Sequence, residues 1–312
     1  MHQAEPYPDL LSHPVPRLLL ATRPAFLTAS ALAVLLGLAS ARHAGVSVDP
    51  LLAAVTMAGA LVIHAGVNVL NDYYDALNGA DEANAGRIHP FTGGSRFIQN
   101  GLFTPARAAR LGWALLATGA AIGLFLSWHT GPALVALGLV GMVVGWGYSA
   151  RSLRLNARGL GELAVAAGFG GFVPVGTFWV QGGETVWGAL VGGLPFGLLA
   201  LNLLFVNQFP DARADAAAGK HHLVVRLGPR WGRWLYGLFA GLTYGWTAVA
   251  VARGWLPMAA LGALLPAVLS LRAWRDLLRW AETPAFLEPA IRRTISAMAA
   301  YALILVLALA GA

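Results

Sequence analysis

Two short stretches of this sequence gather carboxylates and amides at spacings that suit metal and phosphate chemistry. The first runs Asn68-Val69-Leu70-Asn71-Asp72-Tyr73-Tyr74-Asp75, followed by Asn78, Gly79, Asp81 and Glu82. The second holds Asn202, then Asn207-Gln208-Phe209-Pro210-Asp211-Ala212-Arg213-Ala214-Asp215. Each contains an Asn-x-x-x-Asp pair, Asn68/Asp72 and Asn207/Asp211, with another Asp three or four residues on. On a helix those intervals stack side chains along one face. Carboxylates gathered at a membrane boundary repel one another and are costly to desolvate. A divalent cation removes that conflict. Mg²⁺ takes one or two carboxylates together with substrate phosphates and waters, and this oxygen donor set suits it better than zinc or copper. Two such clusters facing each other would hold two Mg²⁺ ions with a diphosphate between them. Arg87, Arg96, Arg213, Lys220 and Arg226 are the nearby cations that would complete the neutralisation.

The competing reading makes these acids solvated helix ends that balance loop arginines. It suits a lone Asp better than two equivalent motifs. Pro210 either terminates its helix or lets the segment line a cavity.

The elements that must position these groups are membrane helices. Of 312 residues, 57% are hydrophobic and 11% charged, against about a quarter charged in a soluble domain. Apolar blocks fall at about 24–41, 48–70, 109–127, 131–149, 161–181, 186–208, 233–251, 255–271 and 293–311, most near the ~20 residues that cross a bilayer. The expected fold is therefore all-α: nine transmembrane helices in one domain, residues 1–312, with a short polar N-terminal segment, 1–16. That segment lacks a cleavable signal pattern, so the first block reads as a retained helix. There is no cysteine, which excludes disulfides, zinc–thiolate sites and Cys nucleophiles.

Charge placement predicts orientation. With nine spans, all the Lys and Arg residues except Arg42 and Arg253 fall on the side of the N-terminus. The positive-inside rule makes that side cytoplasmic and the C-terminus external. It also accounts for the net charge of +7 without nucleic acid. Both acidic motifs sit where an inward-running span reaches the cytoplasm. They lie four spans apart, which suggests a parallel internal repeat.

At these residues the sequence resembles the UbiA superfamily of intramembrane prenyltransferases. Asn71-Asp72-Tyr73-Tyr74-Asp75 is similar to its NDxxD-type motif after the second helix, and Asp211-Ala212-Arg213-Ala214-Asp215 to its DxxxD motif after the sixth. The likeness spans essentially the whole chain. Within the superfamily, Gly79 and Asp81 after the first motif, and Asp215 through Gly219-Lys220-His221-His222 to Arg226-Leu227-Gly228, look most like the 1,4-dihydroxy-2-naphthoate branch, the MenA type. Gly161-Glu162 and Phe172-Val173-Pro174-Val175-Gly176-Thr177 also resemble it. The stretch Ile88-His89-Pro90-Phe91-Thr92-Gly93-Gly94-Ser95-Arg96 departs from the common pattern of that branch. So do Arg151 and Arg154 after Tyr148, where a lysine is usual.

The resemblance implies a UbiA-type bundle around a central cavity, in a bacterial-type cytoplasmic membrane, with the active site on the cytoplasmic side. It implies Mg²⁺-dependent transfer of a polyprenyl chain from its diphosphate to an aromatic quinone precursor in menaquinone biosynthesis. Asp72, Asp75, Asp81, Asp211 and Asp215 would hold metal. Asn68, Asn71, Asn207, Lys220, Arg87, Arg96, Tyr148 and Arg151 would bind diphosphate or substrate. Several of these keep a plainer alternative: Lys220 and Arg96 as loop cations, and Tyr73, Tyr74 and Tyr148 as interfacial aromatics. His64, one turn before Asn68, either contacts the acceptor ring or bonds a neighbouring helix. Glu162 reads as a helix N-terminal charge. The alternative functions are prenylation of 4-hydroxybenzoate or homogentisate, and a cation-coupled transporter. Transporters place such acids near the bilayer midplane, whereas these sit at helix ends.

Overall fold

The computed structural model describes residues 5–8 and 13–312, and the regular elements among them are helical. In chain order they are α1 (Pro14–Ala21), α2 (Pro24–His43), α3 (Pro50–Asn78), α4 (Ala80–Ala83), α5 (Pro105–Thr130), α6 (Pro132–Gly147), α7 (Gly161–Ala167), α8 (Val173–Val180), α9 (Val186–Ala217), α10 (Leu223–Leu227), α11 (Pro229–Ala252), α12 (Ala267–Trp280) and α13 (Glu288–Ala310). A π-helical turn, Gly168–Phe172, joins α7 to α8 without a break.

Proline sets many of the starts. Pro14, Pro24, Pro50, Pro105, Pro132 and Pro229 each open a helix, where a missing N–H has no intrahelical partner to lose. Asp49 and Thr104 cap α3 and α5 by accepting from the Leu52 and Arg107 backbone N–H groups.

Among the described residues, 7 helices are long and apolar enough to cross a membrane, the α7–α8 segment being one of them. The expected count of nine meets two exceptions. The block at 131–149 forms α6, which has 16 residues. The block at 255–271 splits into a 3₁₀ segment, Met258–Leu264, and the start of α12. Pro257 and Pro266 flank that 3₁₀ segment, and proline cannot sit inside a regular helix without removing a bond.

α9 is the most enclosed of these spans. It crosses α7 and the π turn at backbone distance: a Cβ on Gly193 would lie 2.3 Å from the Gly170 carbonyl oxygen, and one on Gly197 2.5 Å from that of Ala166. In lipid, where helices gain nothing by hiding apolar surface from water, such close approach supplies the packing. Buried hydroxyl pairs add to it between α11 and α13, Tyr236 with Thr294 at 2.7 Å and Thr247 with Tyr301 at 2.7 Å.

Pro210 does not terminate α9. The helix runs through both Pro195 and Pro210 to Ala217. Each proline removes one intrahelical bond, and contacts with α4 and α10 hold the motif end of α9 in place.

Candidate active site

The first motif occupies the last three turns of α3. Asn68, Asn71 and Asp75 line a central cavity. Asn71 donates to Asp75 Oδ2 at 3.1 Å and to Ser149 Oγ at 2.9 Å, and Asn78 donates to Asp75 Oδ1 at 3.3 Å. Asn68 donates to the Thr22 carbonyl at 3.0 Å. Asp72 lies behind this wall. Its Oδ1 accepts from the Ser95 backbone N–H at 3.3 Å and stands 3.9 Å from Arg23 Nη1. Gly79, at φ 77°, ends α3, and α4 begins at once. That left-handed turn, natural to glycine, brings the buried Asp81 to the cavity.

The second motif occupies the end of α9. Asn207, Gln208, Asp211 and Asp215 line the same cavity. Asp211 accepts from Asn84 Nδ2 at 2.6 Å and from the Gly93 backbone N–H at 3.3 Å. The loop between α4 and α5 thus bonds both motifs, through Gly93 to Asp211 and through Ser95 to Asp72. Asp215 stands 3.2 Å from His222 Nε2. His222 Nδ1 accepts from the Val225 backbone N–H and caps α10, so the imidazole proton belongs on Nε2, facing the carboxylate.

Lys220 joins the two motifs. Its Nζ lies 2.8 Å from Asp75 Oδ2 and 3.2 Å from Asp215 Oδ1. Burial alone would depress its pKa, but Asp75 and Asp215 raise it, so the ammonium is held in its charged form. Asp81 shows the opposite imbalance: burial, then the charges of Asp75 and Asp72, push its carboxyl well above the usual range.

Away from this charged end the cavity turns apolar. Its volume is about 880 Å³, walled by side chains such as Ile63, Val67, Ile122, Leu134, Met142 and Phe172. Lining residues run down α3 from Asp75 to Thr56, about 28 Å at 1.5 Å per residue. His64 lines this channel while sharing a 2.9 Å hydrogen bond with Ser30 and packing on the Phe169 ring. Tyr148 and residues 5 and 6 also line it, and Glu5 pairs with Arg87 at 2.7 Å.

Several expected cations fall elsewhere. Arg151 and Arg213 are exposed and do not line the cavity. Arg226 is exposed and donates to the carbonyls of His221 and Arg158. Arg87 is taken up by Glu5 and the Asn84 carbonyl. Arg96 is buried and donates to the Asp81 carbonyl at 2.5 Å. Tyr73 packs against the cluster around Phe97 and Phe103, and Glu162 accepts from the Leu223 backbone N–H at 3.0 Å. Arg23, Asn84, Gln208 and His222, which the sequence reading passed over as site residues, do line the cavity. Gln208 lies within the second motif and His222 two residues past Lys220, whereas Arg23 and Asn84 carry no local signal.

The donor set fits Mg²⁺. Among the described residues, Asp81 Oδ2, Asn207 Oδ1 and Gln208 Oε1 are buried without a hydrogen-bond partner, and all three side chains line the charged end. Orphaned hard oxygens beside buried carboxylates are what a Mg²⁺ ion would satisfy.

Residues 30–288 match the UbiA prenyltransferase family. The chain is 36% identical over 205 residues to a 1,4-dihydroxy-2-naphthoate octaprenyltransferase of Mycobacterium tuberculosis, covering 65% of this chain and 67% of that one. It is 33% identical over 277 residues to the enzyme of the same description from Mycobacterium leprae, covering 88% of both. In structure it is similar to a UbiA homolog from Archaeoglobus fulgidus bound to GPP and Mg²⁺, with a TM-score of 0.61 at 15% identity over 93% of this chain and 99% of that one. That last likeness is one of fold.

Proposed function

The chain belongs to the UbiA prenyltransferase family, and from that premise we propose that it transfers a polyprenyl chain from its allylic diphosphate to 1,4-dihydroxy-2-naphthoate, in menaquinone biosynthesis. The observation that carries this reading is the junction of two acidic helix ends, through Lys220, over one long apolar cavity. A diphosphate with a long tail has this division of polarity.

The residues divide the work accordingly. Asp75, Asp81, Asp211 and Asp215, with Asn207 and Gln208, would hold Mg²⁺, and Asp72 supports them from behind through Ser95 and Arg23. When bound, Mg²⁺ supplies Lewis acidity and charge neutralisation at the diphosphate oxygens. Lys220 and Arg23, the cations that line the charged end, stabilise the negative charge that grows on the leaving group as the allylic C–O bond breaks. Asn68, Asn71 and Tyr148 orient the head of the substrate. The apolar walls hold the tail and keep water from the allylic cation. The electron-rich ring then forms the new C–C bond, and its carboxylate leaves as CO₂.

The arginine distribution supports an integral membrane protein with a cytoplasmic N-terminus and the charged end of the cavity at the cytoplasmic face. Purified protein in lipid nanodiscs, given radiolabelled polyprenyl diphosphate and a panel of 1,4-dihydroxy-2-naphthoate, 4-hydroxybenzoate and homogentisate, with and without Mg²⁺, tests the reading. The expected result is Mg²⁺-dependent product from the naphthoate, with CO₂ release. Product from another acceptor alone would overturn the choice of substrate.

A further inference from the structure

Lys220 holds an unusual post. It is the one lysine among 21 basic residues, and it is 7% exposed. Its ammonium lies between single oxygens of Asp75 and Asp215, one from each motif. The backbone beneath it is fixed: Lys220 N–H donates to the Asp215 carbonyl at 2.8 Å, and His221 N–H to the Ala157 carbonyl at 2.9 Å. What remains mobile is the four-carbon stem. A compact ammonium on a flexible stem can leave one pair of oxygens and reach another, whereas a guanidinium fork is committed by its geometry.

The rest of the site differs. Among the described residues, Asp211 and Asp81 have no ion-pair partner; Asp211 is held by an amide and a backbone N–H. The acidic end therefore has one arm already filled by a protein cation and one arm open.

We propose that Lys220 is a built-in placeholder cation: in the substrate-free enzyme it occupies the position between Asp75 and Asp215 that a divalent ion takes when the metal–diphosphate enters, and it then turns its ammonium onto the diphosphate. This rests on the metal–diphosphate reading of the site and adds an exchange of cations to it. The exchange has a physical purpose. Without a counter-charge, the buried Asp75 and the half-buried Asp215 would keep only neutral partners, the amides of Asn71 and Asn78 and the imidazole of His222, and a desolvated charge left uncompensated is destabilising. With Lys220 in place the motifs stay assembled before substrate arrives, and metal binds well only in company with diphosphate, which gives the displaced ammonium a new partner.

The sign of the prediction is the reverse of that for an ordinary substrate-binding lysine. Full-length protein in nanodiscs is stripped of metal, and Mn²⁺ binding is followed by electron paramagnetic resonance with and without inorganic pyrophosphate. Lys220→Met is expected to bind Mn²⁺ alone about tenfold more tightly than wild type, the scale set by one nearby buried charge. Pyrophosphate should then enhance Mn²⁺ binding about tenfold less than it does in wild type. Lys220→Gln, which keeps hydrogen-bond donors without the charge, should give the same ordering and serves if the Met variant does not fold. Neutral variants that bind Mn²⁺ alone no better than wild type would overturn the proposal. Wild type that binds no Mn²⁺ even with pyrophosphate would instead remove the metal reading beneath it, so the two failures are distinct.

Discussion

Replacing Asp81 by Asn should stabilise the metal-free protein and weaken the enzyme. Asp81 is 5% exposed, and its Oδ2 has no hydrogen-bond partner among the described residues. The Gly94 backbone passes so close that a Cβ there would lie 2.5 Å from Oδ2. Burial, followed by Asp75 and Asp72, raises the carboxyl's pKa well above its usual range. The folded state therefore keeps a proton that the unfolded chain releases at about pH 4. Because the native state binds more protons between the two pKa values, stability falls as pH climbs through that window, and the full penalty is present above the raised pKa. Asn is neutral at every pH and removes this term.

An unpartnered buried polar group costs about 1–3 kcal/mol and a charged one more, so exchanging the ionised carboxylate for a neutral amide removes an increment of about that size. Metal-free Asp81→Asn should be more stable than wild type by that amount at alkaline pH, with the difference closing as pH approaches about 4. Thermal unfolding in detergent with a chelator, run from about pH 5 to about pH 8.5, reads it directly. In the activity assay the order inverts: the variant lacks one of the carboxylates proposed to hold metal and should need about tenfold more Mg²⁺ for half-saturation. A metal-free Asp81→Asn protein that is less stable than wild type at high pH, or a difference that does not grow with pH, would refute the reasoning.

Asp75→Ala and Asp211→Ala should each lower kcat/KM by about 10³-fold or more, with helical content by circular dichroism unchanged. Glu5→Gln breaks an ion pair near the surface, worth about 1 kcal/mol or less, so its melting temperature should barely move. Residues 5 and 6 line the cavity, so the same variant should raise the ratio of prenyl alcohol, formed by water capture, to prenylated product on chromatography. Gly193→Val should cost about 1–3 kcal/mol of stability through overpacking, because its Cβ would meet the Gly170 carbonyl at 2.3 Å. Gly123→Val, where nothing lies within 4 Å of the new Cβ, should melt like wild type.

Hydropathy located the spans because crossing a bilayer leaves a long compositional mark. It does not show that 255–271 is divided, because a window average does not see Pro257 and Pro266 on either side of the 3₁₀ segment. The acids of α3 and α9 were legible because local spacing aligns them. Their partners were not. Asn84 meets Asp211 across 127 positions of sequence, and Arg87 meets Glu5 across 82. Arg23 was read only as a topology charge, yet it follows α1 at the entry to α2, with φ 58°, and stands beside Asp72. Arg151, which follows Tyr148 where the resemblance leads one to expect a lysine, is exposed instead. No local pattern records which loop arginine folds inward, since each counts equally toward orientation.

The polarity of the site is arranged along its helices more than around them. α3 and α9 are apolar through most of their length and carry their acids near one end, so depth in the bundle decides which chemistry a position serves. In the proposed reaction, breaking the C–O bond needs charge at the Asp75 and Asp211 level; holding a tail needs the ~28 Å of wall below it. These demands fall on different residues of the same helices. A substitution deep in the channel, at Thr56 or Val180, therefore changes which tail lengths are accepted while the Mg²⁺ requirement stays put. A substitution at Asn71 or Asp215 does the reverse.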